Sequence, residues 1–279
     1  MLIDYHTHVG TEEHWGPVFL EESRRMRSSG VSIATTLDAH REELSKVDRA
    51  VVLAFKSIAL DFEVPNDYVA EYVKTDPNRF IGFMSVDPHD PHAMQEMERA
   101  HQELGLRGLK MSPIYQAFHP MDPRALPIYA YAERHGIPML VHQGTTFPRV
   151  APLKYAHPEM LEDVAIAFPD LRIIVAHLGH PWEVETIALV RKHPHVYTDI
   201  SGLYYRPWQL YNSLMLCQEY GVMHKLIFGT DFPVTKVDET IEGLRSINRF
   251  VEGTRFPIVD PDHIEAIIHR NILGELNLE

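Results

Sequence analysis

The feature that most constrains this chain is a repeated alternation of short apolar runs with segments that carry helix signals. Near-continuous apolar runs rich in β-branched residues are typical of parallel strands covered on both faces. There are eight such runs: LIDYHTH from Leu2, AVVLAF from Ala50, FIGFMSVD from Phe80, RGLKMSP from Arg107, IPMLVHQG from Ile137, RIIVAHLGH from Arg172, HVYTDISG from His195 and KLIFGTDFP from Lys225.

Helix signals lie between these runs. Asp90–Pro91 and Asp122–Pro123 have the pattern of a cap followed by a first helical residue, and Gly105 and Gly136 stand where those helices would end. Strands alternating with helices in this number predict an α/β fold, a (β/α)8 TIM barrel forming one domain over residues 1–279. A doubly wound open sheet is the alternative, but no glycine-rich phosphate loop follows the first run.

Composition limits the compartment and the partners. The single cysteine, Cys217, excludes an internal disulfide and a cysteine-rich zinc site. A formal net charge of −13 argues against nucleic acids and anionic membranes as partners. No apolar run reaches the roughly 18 residues of a membrane span, and the first residues lack the pattern of a signal peptide. We therefore expect a cytoplasmic protein whose partner is a small anionic substrate, with a homo-oligomer as a possible assembly. The longest departure from a minimal barrel, residues 11–38, is interpreted as a lid or as surface decoration.

Polar side chains stand at the end of every apolar run. The C-terminal ends of barrel strands meet at one mouth, which is where TIM-barrel active sites lie. Charged and imidazole groups facing a barrel interior are costly unless they are paired or bound to a metal. The residues concerned are His6, His8, Lys56, Asp87, Lys110, His142, His177, Asp199, Ser201 and Asp231.

The first run carries two histidines one residue apart. Residues i and i+2 of a strand share a face, so His6 and His8 are predicted to point inward while Tyr5 and Thr7 face the helices. Two neutral imidazoles placed in this way make half of a metal site.

His142 from the fifth run and Asp231 from the eighth can complete that site. Three imidazole nitrogens, one carboxylate oxygen and an open position suit a catalytic divalent ion, with zinc favoured and manganese as the alternative. Plainer interpretations exist, because buried histidines can bond backbone carbonyls and Asp231 can cap the turn that follows it. A second H-x-H pair, His193 and His195, precedes the seventh strand and is interpreted as structural.

The segments DYHTH, GLKMSP, LVHQG, AHLGH and FGTDFP, in this order and at these intervals, resemble the amidohydrolase superfamily. The resemblance extends from Leu2 to about Leu276. Within the superfamily it is greatest to the group that includes aminocarboxymuconate-semialdehyde decarboxylase, resorcylate decarboxylases and small lactone hydrolases. It implies that the four candidate ligands bind the metal and that His177 shuttles protons. The chain departs from the family pattern at His180, where members more often have a small residue.

Two further residues affect the expected mechanism. His177 suits general acid–base catalysis because an imidazole pKa lies near neutrality, although it can also simply hold a water molecule. Lys110 is expected to bind a substrate carboxylate as a cation. The resemblance offers an alternative, a carbamylated Lys110 that bridges two ions. Arg149 and Arg206 are candidate clamps for an anion or surface arginines.

These residues lead to three functional hypotheses. The first is a metal-dependent hydrolase in which metal-activated water attacks a small carboxylated lactone, ester or amide. In it Asp231 and His177 transfer protons and Lys110 orients the substrate. The second keeps the site but changes the reaction to non-oxidative decarboxylation, or hydration, of a small acid. The third is a metal-binding barrel without catalysis. One ion is expected, or two if Lys110 is carbamylated.

Overall fold

The computed structural model describes residues 1–26 and 32–279, and most of its strands form one parallel sheet. In chain order the strands are β1 Ile3–His8, β2 Arg49–Leu53, β3 Phe55–Ser57, β4 Phe62–Val64, β5 Phe80–Ser85, β6 Gly108–Met111, β7 Met139–Val141, β8 Ile173–Val175, β9 Val196–Asp199 and β10 Leu226–Ile227. β3 and β4 form a separate antiparallel hairpin, and the other eight pair in chain order. Each of those eight overlaps one predicted run.

Hydrogen bonds between β1 and the chain around β10 close the sheet into a barrel. The amide of Tyr5 donates to the carbonyl of Phe228 (3.1 Å), and the amide of Asp231 donates to the carbonyl of His6 (2.8 Å). The amide of His8 donates in turn to the carbonyl of Phe232 (2.7 Å). The predicted TIM barrel is therefore confirmed.

Helices surround the barrel and connect its strands. Within residues 1–26 and 32–279, every helix is too short or too polar to cross a membrane. The α-helices are α1 Glu12–Trp15, α2 Pro17–Met26, α3 Leu37–Glu43, α4 Asn66–Val73, α5 Ala93–Gln102, α6 Leu126–His135, α7 Met160–Ala167, α8 Glu183–Lys192, α9 Pro207–Glu219, α10 Val237–Arg245 and α11 Pro261–His269.

The predicted helix boundaries are close to the observed ones. Gly136 ends α6 in the left-handed conformation (φ 64°), as its position indicated. Helices α5 and α6 begin a few residues later than predicted, because Asp90 and Asp122 each cap a short turn first. Their Oδ1 atoms accept hydrogen bonds from the amides of His92 (2.8 Å) and Arg124 (3.0 Å).

Two apolar clusters separate the outside of the barrel from its inside. The larger one joins the helices to the outward faces of the strands. The smaller one joins side chains from opposite sides of the barrel, such as Val51, Phe83 and Ile174, and is covered at the bottom by Ile272 and Leu276 from the C-terminal segment. The inside is thus a filled apolar core that carries a polar layer at its upper end.

Strand β1 is irregular at the point where it enters that polar layer. Its register with β2 shifts between Asp4 and Thr7, as at a β-bulge. Tyr5 belongs to the interior cluster, and its hydroxyl accepts a hydrogen bond from the amide of Ile272 (2.9 Å). The prediction that Tyr5 faces the helices is therefore wrong, because strict alternation fails at a bulge. Thr7 does face outward, where its Oγ1 contacts Nε2 of His40 (2.9 Å).

The segment predicted as a lid packs near the barrel mouth. Trp15 and Phe19, from α1 and α2, stack on each other (ring centroids 5.3 Å apart) and contact Phe62 of the hairpin. Residues 27–31 of the predicted 11–38 insertion lie outside the described residues. The lid and the single-domain boundaries stay predictions.

Candidate metal centre

The polar layer is built from inward positions of several strands. In β6, Leu109 and Met111 join the outer cluster, so Gly108 and Lys110 point inward. The ring of Phe83 occupies the space that a side chain at position 108 would need, so only glycine fits there. Lys110 therefore lies one layer above the aromatic core, fully buried, with Nζ 5.4 Å from the centroid of the Phe55 ring.

Three ligand atoms converge beside β1. The Nε2 atoms of His6 and His8 are 3.2 Å apart. Oδ1 of Asp231 lies 3.5 Å from Nε2 of His6 and 3.3 Å from Nε2 of His8. A tetrahedral ion with bonds of about 2.0–2.1 Å holds its ligand atoms about 3.3 Å apart. The triangle therefore has the dimensions of one face of a zinc coordination shell, and these residues fit the ion that the sequence predicted.

The other ring nitrogen of His6 is held by β9. Nδ1 of His6 lies 3.0 Å from Oδ2 of Asp199 and 3.2 Å from Oγ of Ser201. His6, His177 and Asp199 also form a buried group with closely spaced ligand atoms. Metal-binding histidines commonly donate their second ring N–H to a carboxylate. Since Nε2 of His6 faces His8 and Asp231, we interpret Asp199 as the hydrogen-bond acceptor behind the ligand.

His142 lies at the same mouth but outside these groups. Its Nε2 atom is 3.0 Å from the carbonyl oxygen of Thr145, so Nε2 carries the proton. Its ring lies 4.9 Å from the ring of Tyr115 and 5.2 Å from that of His177, centroid to centroid. The described ligand groups contain His6, His8 and Asp231, or His6, His177 and Asp199, and not His142. Its role as a ligand stays a prediction.

His177 follows β8 in a turn of unusual backbone conformation. His177 and Leu178 have φ values of 54° and 52°, in the left-handed region that few non-glycine residues adopt. The turn stacks the ring of His177 against that of His6, with centroids 4.8 Å apart and planes 21° apart. Asp231 also has a positive φ, 60°. Strained backbone therefore accompanies two of the candidate site residues.

Burial sets the protonation states of the site. It lowers the pKa values of His6, His8 and His177, and the charge of Lys110 contributes at each of them. Burial alone would raise the pKa of Asp231, but its electrostatic interaction with the imidazole of His177 and a hydrogen bond from His8 outweigh burial and hold that pKa well below its usual range. The imidazoles are thus neutral and the carboxylate ionised, which is the state that binds a cation.

Lys110 is the cation closest to these ligands. Its Nζ lies 3.2 Å from Nε2 of His6. Burial lowers its pKa to about 8, against the opposing charges of Asp231 and Asp199. A bound metal ion would disfavour the ammonium form further. To remain a cation when an ion is present, Lys110 would therefore need a negative partner such as a substrate carboxylate, whereas a carbamylated Lys110 would itself carry the negative charge.

The remaining polar residues from the strand ends are used elsewhere. Lys56 pairs with Asp90 (3.0 Å), and Asp87 accepts hydrogen bonds from His89 and Ile58.

Neither candidate clamp lies free in the mouth. Arg149 binds Glu22 of α2 through Nε and Nη2, and Arg206 donates to the carbonyl of Gly202 (3.0 Å). His193 and His195 precede β9, away from the mouth.

Comparison with known proteins decides the family. The family model described as Amidohydrolase matches residues 3–272. The chain belongs to the amidohydrolase family. It is a metal-dependent enzyme of the amidohydrolase superfamily, as the sequence motifs indicated, and relatives of this chain include decarboxylases.

Similar sequences include enzymes of two reaction types. The dihydroorotase of Helicobacter pylori (strain HPAG1) is 28% identical over 149 residues, which are 51% of this chain and 42% of that enzyme. The chain thus spans less than half the length of that relative. The gamma-resorcylate decarboxylase of a Polaromonas species is 23% identical over 223 residues, 63% of this chain and 67% of the relative.

Solved structures match over nearly the whole chain. An uncharacterized TIM-barrel protein from Bordetella bronchiseptica has a TM-score of 0.77 and 24% identity, covering 99% of this chain and 98% of its own. A dihydroxybenzoic acid decarboxylase from Polaromonas, solved with bound manganese and the inhibitor 2-nitroresorcinol, has a TM-score of 0.69 and 18% identity, covering 99% and 97%. These likenesses support the barrel, and membership of the family supports a divalent metal.

Proposed function

We propose that this chain is a hydrolase of a small carboxylated lactone, ester or amide, with one divalent ion held by His6, His8 and Asp231 and, by prediction, His142. The observation that carries the proposal is the triangle of ligand atoms with edges of 3.2, 3.3 and 3.5 Å. An ion bound there would polarise a substrate oxygen and lower the pKa of a water molecule.

The chain's own residues supply the proton transfers. Asp231 presents an ionised carboxylate beside both Nε2 atoms, so it can accept the proton that the attacking water loses. His177 is neutral because burial lowers its pKa, so its imidazole can take that proton from Asp231 and pass it to the leaving group. A site that begins with neutral imidazoles favours hydrolysis, which needs proton acceptors, over protonation of carbon.

Lys110 determines the kind of substrate in this proposal. Its buried Nζ, adjacent to His6, offers a charge-assisted hydrogen bond to a carboxylate that reaches the polar layer. A substrate with a carboxylate near the reacting carbonyl would supply the negative partner that Lys110 needs. A carbamylated Lys110 would instead supply that charge itself and support a second ion.

Metal analysis tests the centre. Purified protein should hold about one equivalent of zinc or manganese, or about two with a carbamylated lysine. The double variant His6→Ala with His8→Ala should lose the ion, and His142→Ala should weaken its binding. His193→Ala is the matched control from the other H-x-H pair and should keep full occupancy. Equal losses in the double variant and the control would contradict the assignment.

Decarboxylation of a small aromatic acid is the second candidate. It is favoured by the decarboxylases among the relatives and by Lys110, whose pKa of about 8 lets it deliver a proton at neutral pH.

A screen of carboxylated lactones, cyclic amides and hydroxybenzoates separates the two reactions. Hydrolysis in water enriched in the heavy oxygen isotope places that isotope in the product. Decarboxylation in deuterated water releases carbon dioxide and places deuterium on carbon.

A further inference from the structure

The carboxylate of Asp199, at the end of β9, links the two stacked imidazoles of the site. Its Oδ2 lies 3.0 Å from Nδ1 of His6. Its Oδ1 accepts the amides of His177 and Ser201, each at 3.0 Å, and the hydroxyl of Ser201 at 2.5 Å. An ionised carboxylate only accepts hydrogen bonds, and the three donors that converge on Oδ1 of Asp199 stabilise its ionised form. The proton between Asp199 and His6 therefore belongs to Nδ1 of His6.

Ser201 fixes the position of the ring proton of His177 in the same way, on Nδ1. Nδ1 of His177 lies 3.0 Å from the carbonyl oxygen of Ser201 and 2.8 Å from its Oγ. A carbonyl oxygen has no proton to donate, so Nδ1 of His177 must carry one. The hydroxyl proton of Ser201 is directed to Asp199. The unprotonated nitrogen of His177 is therefore Nε2.

The two rings share one orientation. They stack with planes 21° apart, and both Nδ1 atoms lie within 3.2 Å of Oγ of Ser201. Both Nε2 atoms consequently lie on the side away from Ser201. Asp199 also binds the amide of His177, the first residue of the left-handed turn, and so supports the backbone conformation that brings this ring into the stack.

We propose that Asp199 and Ser201 are positioning residues that fix the Nδ1–H tautomer of His6 and His177 together. Nε2 of His6 is then available as a ligand and Nε2 of His177 as a base. The consequence for catalysis rests on the proposed function. The tautomers themselves are properties of the metal-free chain.

Nitrogen NMR of the metal-free protein tests the proposal directly. Protein labelled with nitrogen-15 in histidine and stripped with a chelator gives long-range proton–nitrogen spectra that distinguish the two tautomers. His6→Gln and His177→Gln identify the two rings by the loss of their signals. We expect both rings as Nδ1–H tautomers at neutral pH. An Nε2–H tautomer at either ring would overturn the proposal, and this measurement needs no variant of Asp199 to fold.

Asp199→Asn tests the cause. The amide group of the new side chain donates where the carboxylate accepted, so Nδ1 of His6 should lose its proton and Nε2 should gain it. Zinc affinity should then fall by about 10- to 100-fold. Asp87→Asn is the matched control, because Asp87 is also a buried carboxylate that accepts amide hydrogen bonds and one imidazole Nδ1, that of His89.

The control should leave the signals of His6 and His177 and the zinc affinity unchanged. An unaltered His6 tautomer in Asp199→Asn, or equal losses of zinc affinity in both variants, would overturn the proposal. If both rings have the Nδ1–H tautomer but the protein binds no zinc, the proposed metal centre is refuted. The inference about Asp199 and Ser201 would still hold.

Discussion

His40 should make the stability of this protein depend on pH between about pH 7 and pH 5. It is fully buried behind β1. Oγ1 of Thr7 donates to the carbonyl of Val51 (2.5 Å), so it accepts from Nε2 of His40 (2.9 Å). Nδ1 of His40 then accepts from the hydroxyl of Tyr72 (2.9 Å). Both ring nitrogens are thus satisfied in the neutral form.

Burial lowers the pKa of His40 from 6.5 to about 3 in the folded chain, with smaller electrostatic contributions from His8 and Arg41. The unfolded chain therefore binds a proton at a pH where the folded chain does not. The stability that His40 contributes is fully present above its pKa in the unfolded chain. This stability is lost as the pH falls toward the pKa of His40 in the folded chain. At about 1.36 kcal/mol per pH unit, the loss between about pH 7 and pH 5 is about 2 kcal/mol.

The variant His40→Gln isolates this contribution, because its amide can still donate to Thr7 but does not titrate. Urea unfolding of chelator-treated protein, followed by tryptophan fluorescence, gives the free energy of unfolding of both proteins at each pH. The wild type is expected to lose about 2 kcal/mol more than the variant between about pH 7 and pH 5. Other titrating groups cancel in this difference. A difference between the two proteins that stays constant over this range would refute the reasoning.

Three other outcomes follow from the fold and the site. Gly108→Ala should lower the free energy of unfolding by about 1–3 kcal/mol, because its Cβ would collide with the ring of Phe83. Denaturation should show a much smaller change for the control Gly274→Ala, whose Cβ would meet only the flexible end of a glutamate. Thr7→Val should cost about 1–3 kcal/mol by leaving buried partners unpaired, with zinc content unchanged since the side chain faces outward. Zinc at about 100 times its Kd should raise the free energy of unfolding by about 2.7 kcal/mol, and a calorimetric scan without a shift would argue against a folded-state site.

Much of the architecture could be predicted from the sequence, because each barrel strand is buried on both faces and so appears as an apolar run. The convergence of His6, His8 and Asp231 follows from the same pattern, since the ends of parallel strands share one mouth. Alternation could not reveal that Tyr5 points inward, because a bulge depends on pairing with β2 rather than on local composition.

The links behind the site were less accessible to sequence reasoning. Asp199 and Ser201 were visible only as polar residues at a strand end. Their hydrogen bonds with His6 join positions more than 190 residues apart and depend on the turn that carries His177. The orientation of His142 is set by a carbonyl in its own loop, at Thr145, and no side-chain pattern encodes it.

The extra residue in β1 allows neighbouring positions to serve two different environments. Tyr5 completes the apolar filling of the barrel, and His6, the very next residue, enters the polar layer above it. An engineer who transplants this histidine pair into a regular barrel strand would therefore have to carry the irregularity along with it. Without that offset, a tyrosine that fills the interior would leave the following imidazole on the helix side, out of reach of any partner across the mouth.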